Sequence, residues 1–213
     1  VLAAFCGALL ARVATAQDSM ILVPSRFTPA VGERVEVLLQ EASGVDVAWT
    51  DDRVAWSLVR MADSQENSDR SPRTGEGEPA GTVRISTRGA AVIGVDFKPR
   101  TTALDATVLE RLRAKTSVQA EGAKATEEGS VRLVQSAKTI VRVGEAGPGQ
   151  SPNVTSKTGQ QAELRPTFDP TGVGIGSDIP LVVYTGDGKA PGAMLIATHV
   201  ATGEKQEFTA NQT

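Results

Sequence analysis

The chain has 213 residues, with 22 lysines and arginines against 25 aspartates and glutamates, one histidine and one cysteine, for a formal net charge of −3 at pH 7. The two signs are interspersed and no basic stripe is present, which argues against nucleic acid or an anionic membrane surface as partner. Cys6 is the single cysteine, so no disulfide can form within the chain and stability rests on packing.

Residues 1–13 (VLAAFCGALLARV) are an apolar run too short for a permanent membrane helix, and Ala14-Thr15-Ala16 then supplies a small-x-small pattern before polar Gln17-Asp18-Ser19. That arrangement predicts a secretory signal peptide over residues 1–16, read by the peptidase at Ala14 and Ala16 and cleaved after Ala16. Phe5 precedes Cys6 where a lipid-attachment motif wants a small residue, which argues against lipidation. No later segment approaches the roughly 20 apolar residues of a membrane helix, so no transmembrane segment is expected in the mature chain. The expected location is periplasmic or secreted.

Downstream, short β-branched segments bounded by Gly, Pro, Asp and Ser predict a mainly β protein. Met20–Val23 and Arg34–Gln40 are the first two strands, separated by a turn rich in proline and glycine. Val45, Val47 and Trp49 alternate with polar residues, as do Val54, Trp56 and Leu58 beyond Asp51-Asp52. The pattern predicts a hairpin in which Trp49 faces Val54, Val47 faces Trp56 and Val45 faces Leu58. Residues 63–80 carry no large apolar side chain and read as a solvated loop. Thr82–Thr87 and Ala90–Phe97 are two further strands about a turn at Arg88-Gly89, the second nearly continuous in apolar character and so expected to be central. Leu104, Val108, Leu109 and Leu112 change the period and predict one short helix near residues 103–115, capped by Thr101 or Thr102. Val131–Val143 returns to strand composition.

Residues 146–159 are rich in Gly, Pro, Ser and Thr and read as a linker. Ala162–Pro166, Ile179–Tyr184, Ala193–Ala201 and Lys205–Thr209 follow as four strands. The expected organisation is two antiparallel β-sandwich-like domains: an N-terminal β domain at 17–145 and a C-terminal sandwich at 160–213. Four strands are few for a sandwich, so the second domain is expected to be incomplete, with an edge strand near Lys205–Thr209 that invites pairing with another chain.

No phosphate-binding loop, dinucleotide fingerprint, zinc spacing or nucleophile elbow occurs. His199 is the only histidine and the one weak candidate for a metal ligand or base; a strand-surface position is the better reading. Imidazole-favouring metals usually recruit several His or Cys ligands, so no metal site and no cofactor is expected. Asp46, Asp51 and Asp52 near Trp49 and Trp56 suggest a sugar-cleaving cleft. The hairpin register turns Asp46 away from the indoles, which favours core packing for both tryptophans. Gly172, Gly174 and Gly176 lack the lysine and helix of a nucleotide loop. Asn153-Val154-Thr155 and Asn211-Gln212-Thr213 match the N-glycosylation pattern.

Several stretches together resemble a bacterial family of exported proteins, the domain-of-unknown-function 4198 family, whose members are often described as periplasmic components of nickel or cobalt uptake. Gln17 to Pro24, then Phe27-x-Pro29-x-x-Gly32-Glu33, is similar to the family's "His-Asp-Phe-Trp-Leu-x-Pro" opening and "F-x-P-x-x-G" turn. The predicted helix falls where the family places one after a paired strand. Ser136-Ala137-Lys138 through Val143-Gly144 resembles its "x-A-K-x-x-x-x-V-G" strand. Glu163-Leu164-Arg165-Pro166 with Asp169-Pro170, and Lys189-Ala190-Pro191-Gly192-Ala193, resemble its "E-x-x-P…D-P" and "G-K-P-x-x-G-A" segments. The resemblance implies an exported two-domain β protein ending in a carboxypeptidase-regulatory-like sandwich. The family's opening histidine is Gln17 here. The function expected is therefore an exported non-catalytic binding or structural module, not an enzyme, with an unidentified exported or membrane protein or small ligand as partner. The alternative is an accessory component of nickel or cobalt uptake.

Overall fold

The computed structural model describes residues 20–41, 44–64, 80–103, 130–144, 151–186, 188–199 and 201–211. The signal segment with Ala14 and Ala16, and the predicted helix from residue 104 onward, lie outside the described residues. What is described is mainly antiparallel β, packed as layers in a sandwich-like fold.

The first layer joins β1 (Met20–Pro24), β2 (Arg34–Glu41), β3 (Asp46–Val47) and β5 (Ala80–Arg84). β2 is its centre: β1 pairs along one edge, and β5 and β3 share the other. The second layer has the order β4 (Val54–Arg60), β6 (Gly89–Phe97), β9 (Ser136–Val143). Strict alternation in β2 turns Val35, Val37 and Leu39 inward, where they are fully buried against Val59, Ile93, Val95, Val141 and Val143 of the second layer. Each such side chain contributes roughly 1.5–3 kcal/mol by leaving water. β6 is buried on both faces and paired on both edges, as its apolar run predicts. Past β6, a ribbon of β7 (Arg100–Ala103) and β8 (Ser130–Leu133) extends the hairpin that β6 makes with β9. Between β1 and β2 the chain crosses to the second layer, where Phe27 and Pro29 carbonyls accept from Arg142 and Gly144 N–H groups at 2.8 and 2.9 Å.

The predicted hairpin over residues 45–58 does not form. β3 pairs with β2 (Val47 opposite Leu39) and β4 pairs with β6 (Leu58 opposite Gly94), so the turn after Thr50 carries the chain from one layer to the other. A β-bulge between Val54 and Trp56 also breaks the assumed alternation. Val47, Trp49 and Val54 consequently face the main core, whereas Trp56 and Leu58 face the opposite side of the second layer. Val45 is exposed. The pairing implied about Arg88-Gly89 fails for the same reason: β5 joins β2, and β6 joins β4 and β9. Period-two patterning names the buried face of a strand, not its neighbour.

Residues 151–159, within the predicted linker, are instead packed structure. They hold a short helix, α1 (Pro152–Thr155), with Asn153 and Val154 buried. Beyond them, β10 (Ala162–Pro166), β11 (Leu181–Thr185) and β12 (Gly188–Lys189) form one small sheet, and β13 (Met194–Thr198) with β14 (Lys205–Thr209) another. Leu164, Val183 and Ala193 make their small core, backed by Ala190, Leu195 and Ala210. β14 is exposed at all five residues and pairs, among the described residues, with β13 alone.

Candidate functional site

The outer face of a two-layer antiparallel sandwich ordinarily meets water. On the β4-β6-β9 layer it does not, because residues 151–172 lie across it. Leu58, Ala90 and Val92 receive Val154 of α1, with Trp56 and Ile140 at the margin. Pro152 starts α1 with its fixed backbone angle. Around this apolar patch runs a seam of buried polar side chains, the densest concentration of chemistry-bearing groups among the described residues.

Asp96 on β6 is completely buried. Its carboxylate accepts from Trp56 Nε1 at 2.8 Å, Ser136 Oγ at 2.5 Å and the Gln161 N–H at 3.1 Å. Trp56 and Ser136 are its direct cross-strand neighbours on β4 and β9. Burial pushes the Asp96 carboxyl up, and the hydrogen bonds from Ser136, Gln161, Trp56 and Gln160 recover only part of that shift. Ser136 Oγ also accepts the Ala162 N–H at 3.1 Å, tying β10 to β9.

Two residues along β9, Lys138 Nζ lies 2.9 Å from Glu163 Oε1, with the side chains 6% and 2% exposed. Both Glu163 oxygens accept from the Thr158 N–H at 3.0 Å. Burial drives the Glu163 carboxyl up, but the Lys138 charge and hydrogen bond, with Thr158, outweigh it and hold the group below the ordinary glutamate range. On β4, buried Arg60 donates to the carbonyls of Asn153, Ser156 and Lys157, where it satisfies groups at the end of α1. Its guanidinium is shifted down by burial, which Glu163 opposes.

The remaining contacts close the seam. Asn153 Nδ2 donates to the Ala90 carbonyl at 2.7 Å, and Gln160 Nε2 to the carbonyls of Val95 and Ala137, each at 3.0 Å. Gly94 makes room for that amide: a Cβ there would lie 3.2 Å from Gln160 Cδ, Gln160 Nε2 and Leu58 Cγ. At the far end Arg142 donates to Thr171 Oγ1 at 2.7 Å and lies 3.9 Å from Asp169, which caps the 3-10 turn Pro170–Gly172 and accepts from Ser151. Chemically, this arrangement binds one part of the chain to another. Asp96 and Glu163 meet donors already in place, and Ser136 Oγ faces a carboxylate and an N–H with no imidazole in the contact.

The residues singled out from sequence lie elsewhere. His199 is exposed, one residue past the end of β13 and not within a strand, with Nδ1 2.9 Å from Thr202 Oγ1 in a tight turn. Asp46 accepts from Gln40, and Asp51 and Asp52 occupy the turn before β4. Trp49 is buried in the main core and donates to the Val37 carbonyl at 3.2 Å, on the other side of the second layer from Trp56. Among the described residues no group of three or more His, Cys, Asp or Glu is placed to hold a metal ion. No helix among them is long and apolar enough to cross a membrane.

Sequence reasoning missed Arg60, Asp96, Lys138, Asn153, Gln160 and Glu163. A signal existed: Asp96 interrupts the apolar run of β6, and Ser136, Lys138 and Arg142 fall at even spacings along β9, where a surface-facing strand and a covered one look alike. No family model, no curated protein and no solved structure matches the chain.

Proposed function

We propose that the protein is an exported, non-catalytic binding or structural module of the periplasm or cell surface, built on an immunoglobulin-type sandwich. The observation that carries the reading is the seam. The carboxylates with shifted proton affinity are sealed between β4-β6-β9 and residues 151–172 and serve to dock a second β unit on the first, Asp96 through the Gln161 N–H and Glu163 through Lys138. Such groups in an enzyme are expected at a cleft within reach of substrate. The topology supports the immunoglobulin-type assignment, since β1-β2-β5 and β4-β6-β9 repeat the A-B-E and C-F-G order of that sandwich. Folds of this type commonly bind through loops and strand edges carried on a rigid core.

Kinship with the exported family named above is part of the same proposal. Its lysine strand and its glutamate and Asp-Pro segments here include Lys138, Glu163 and Asp169, which all lie in the seam. Export rests on the residue 1–16 pattern. The decisive experiment is fractionation of the source cells with N-terminal sequencing of the native polypeptide. A product in the osmotic-shock fluid or on the cell surface, beginning at Gln17, is expected. A cytoplasmic product that keeps residues 1–16 refutes the reading.

A further inference from the structure

On the small sheet β10-β11-β12, register places Glu163, Tyr184 and Lys189 in one row across the three strands, so the three side chains share a face. Arg165, two residues along β10, shares it too, with Cζ 5.0 Å from the centre of the Tyr184 ring. Lys157, just past α1, brings Nζ to 4.2 Å from the same ring. Two cations thus lie against one buried tyrosine, and register sets Lys189 on the strand beside it, in a chain whose net charge is −3. Glu163, the carboxylate of the row, is engaged by Lys138 and Thr158.

The Arg165 guanidinium supplies the second observation. Its Nε is buried and has no hydrogen-bond partner among the described residues. An N–H removed from water and left unmade is costly, and the guanidinium fork suits two oxygens of one anion. Contact with the ring holds Arg165 and Lys157 beside Tyr184 through charge and quadrupole. We infer that the Lys157–Arg165–Lys189 face about Tyr184 is an oxyanion site, taking a phosphate or sulfate group either free or as the ester of a sugar. Arg165 supplies the fork, and Lys157 and Lys189 the flanking charge. The inference goes beyond the exported-module reading and stands without it.

Nuclear magnetic resonance of the full chain tests it, with inorganic phosphate, inorganic sulfate and glucose 6-phosphate titrated at ionic strength held constant with sodium chloride. Saturable shifts are expected at the Arg165 Nε–H and at the amides of Lys157, Tyr184 and Lys189. Lys189 is exposed on a two-residue strand, so Lys189→Ala leaves the fold intact, and it is expected to weaken binding about tenfold. Arg165→Lys, which keeps the charge and loses the fork, is expected to do the same. Tighter binding of glucose 6-phosphate assigns the ester and equal binding assigns the free anion; either supports the site. Shifts that never saturate for any probe, or equal affinity in both variants and the wild type, overturn it.

Discussion

Replacing Glu163 by Gln probes the seam at its most charged point. The substitution keeps the side-chain shape and an oxygen for the Thr158 N–H, but leaves Lys138 buried with no counter-charge 2.9 Å away. At an effective dielectric of about 20, the lost attraction is roughly 6 kcal/mol before desolvation is counted. After relaxation around the stranded charge this comes down to the roughly 3–5 kcal/mol typical of breaking a buried pair from one side. That is a large share of the roughly 5–15 kcal/mol that holds a domain together. Urea unfolding at pH 7 should show it as a lowered midpoint. The pH dependence has a definite sign. Because Glu163 is held below the ordinary glutamate range in the folded chain, its contribution is complete above about pH 4.3 and fades as pH falls toward the folded value. The gap between wild type and variant should therefore be flat near neutrality and close in acid. A gap under about 1 kcal/mol at pH 7, the range of an exposed pair, or one that widens in acid, would refute the reasoning.

Gly94→Ala should displace the Gln160 amide from its two carbonyls, since the added Cβ meets Gln160 and Leu58 at 3.2 Å; a loss of about 1–3 kcal/mol is expected in urea unfolding, and an unchanged midpoint would show that the seam tolerates a methyl there. Amides of β13 and β14 should exchange hydrogen faster than those of β2 and β6, because the ribbon is largely exposed and rests on a small core with only three buried residues; equal protection contradicts this. Calorimetry with Ni²⁺ and Co²⁺ should show no stoichiometric micromolar binding. Binding that His199→Ala abolishes would restore the metal-uptake alternative.

The legible part of the fold was the part governed by burial. Val35, Val37 and Leu39 alternate as a strand with one covered face must, and residues 89–95 read as a strand covered on both; each is so. Illegible was anything that depends on which strand lies beside which. Val47 and Trp56 looked like partners because the bulge at Val54/Trp56 has no sequence mark, and a turn between layers uses the same Asp-Asp residues as a turn within one. Residues 151–159 misled for a related reason. Pro152 and Ser151 suit a solvated linker by composition, yet Val154 and Asn153 pack on Leu58 and Ala90 because the layer beneath offers an apolar patch and a free carbonyl. The seam itself was only faintly marked: Asp96 breaks the apolar run of β6, but it, Lys138 and Glu163 read as ordinary polar residues until the chain returns from a distance to cover them.

A polar seam is an expensive way to join two β units, and its use here is best explained by docking geometry. An apolar face such as Leu58, Ala90 and Val92 tolerates small shifts of whatever covers it. Asp96 and Ser136 do not, because each accepts a particular backbone N–H, those of Gln161 and Ala162, and Lys138 does not, because it pairs with Glu163 of the covering segment. Three polar groups fixed on two neighbouring strands specify one position for the covering segment, and any displacement strands a buried charge. Stability and specificity can be separated by removing both charges at once. Lys138→Met with Glu163→Leu abolishes the desolvation cost of two ions but strands the Thr158 N–H, worth about 1–3 kcal/mol. The double variant should thus lie within about 2 kcal/mol of wild type and well above Glu163→Gln alone. Its amide spectrum should nevertheless broaden or split at residues 157–163, where the covering segment has lost its fixed register. If those resonances stay single and sharp, the apolar patch alone sets the docking; if the double variant is as unstable as Glu163→Gln, the cost does not lie in the uncompensated charge.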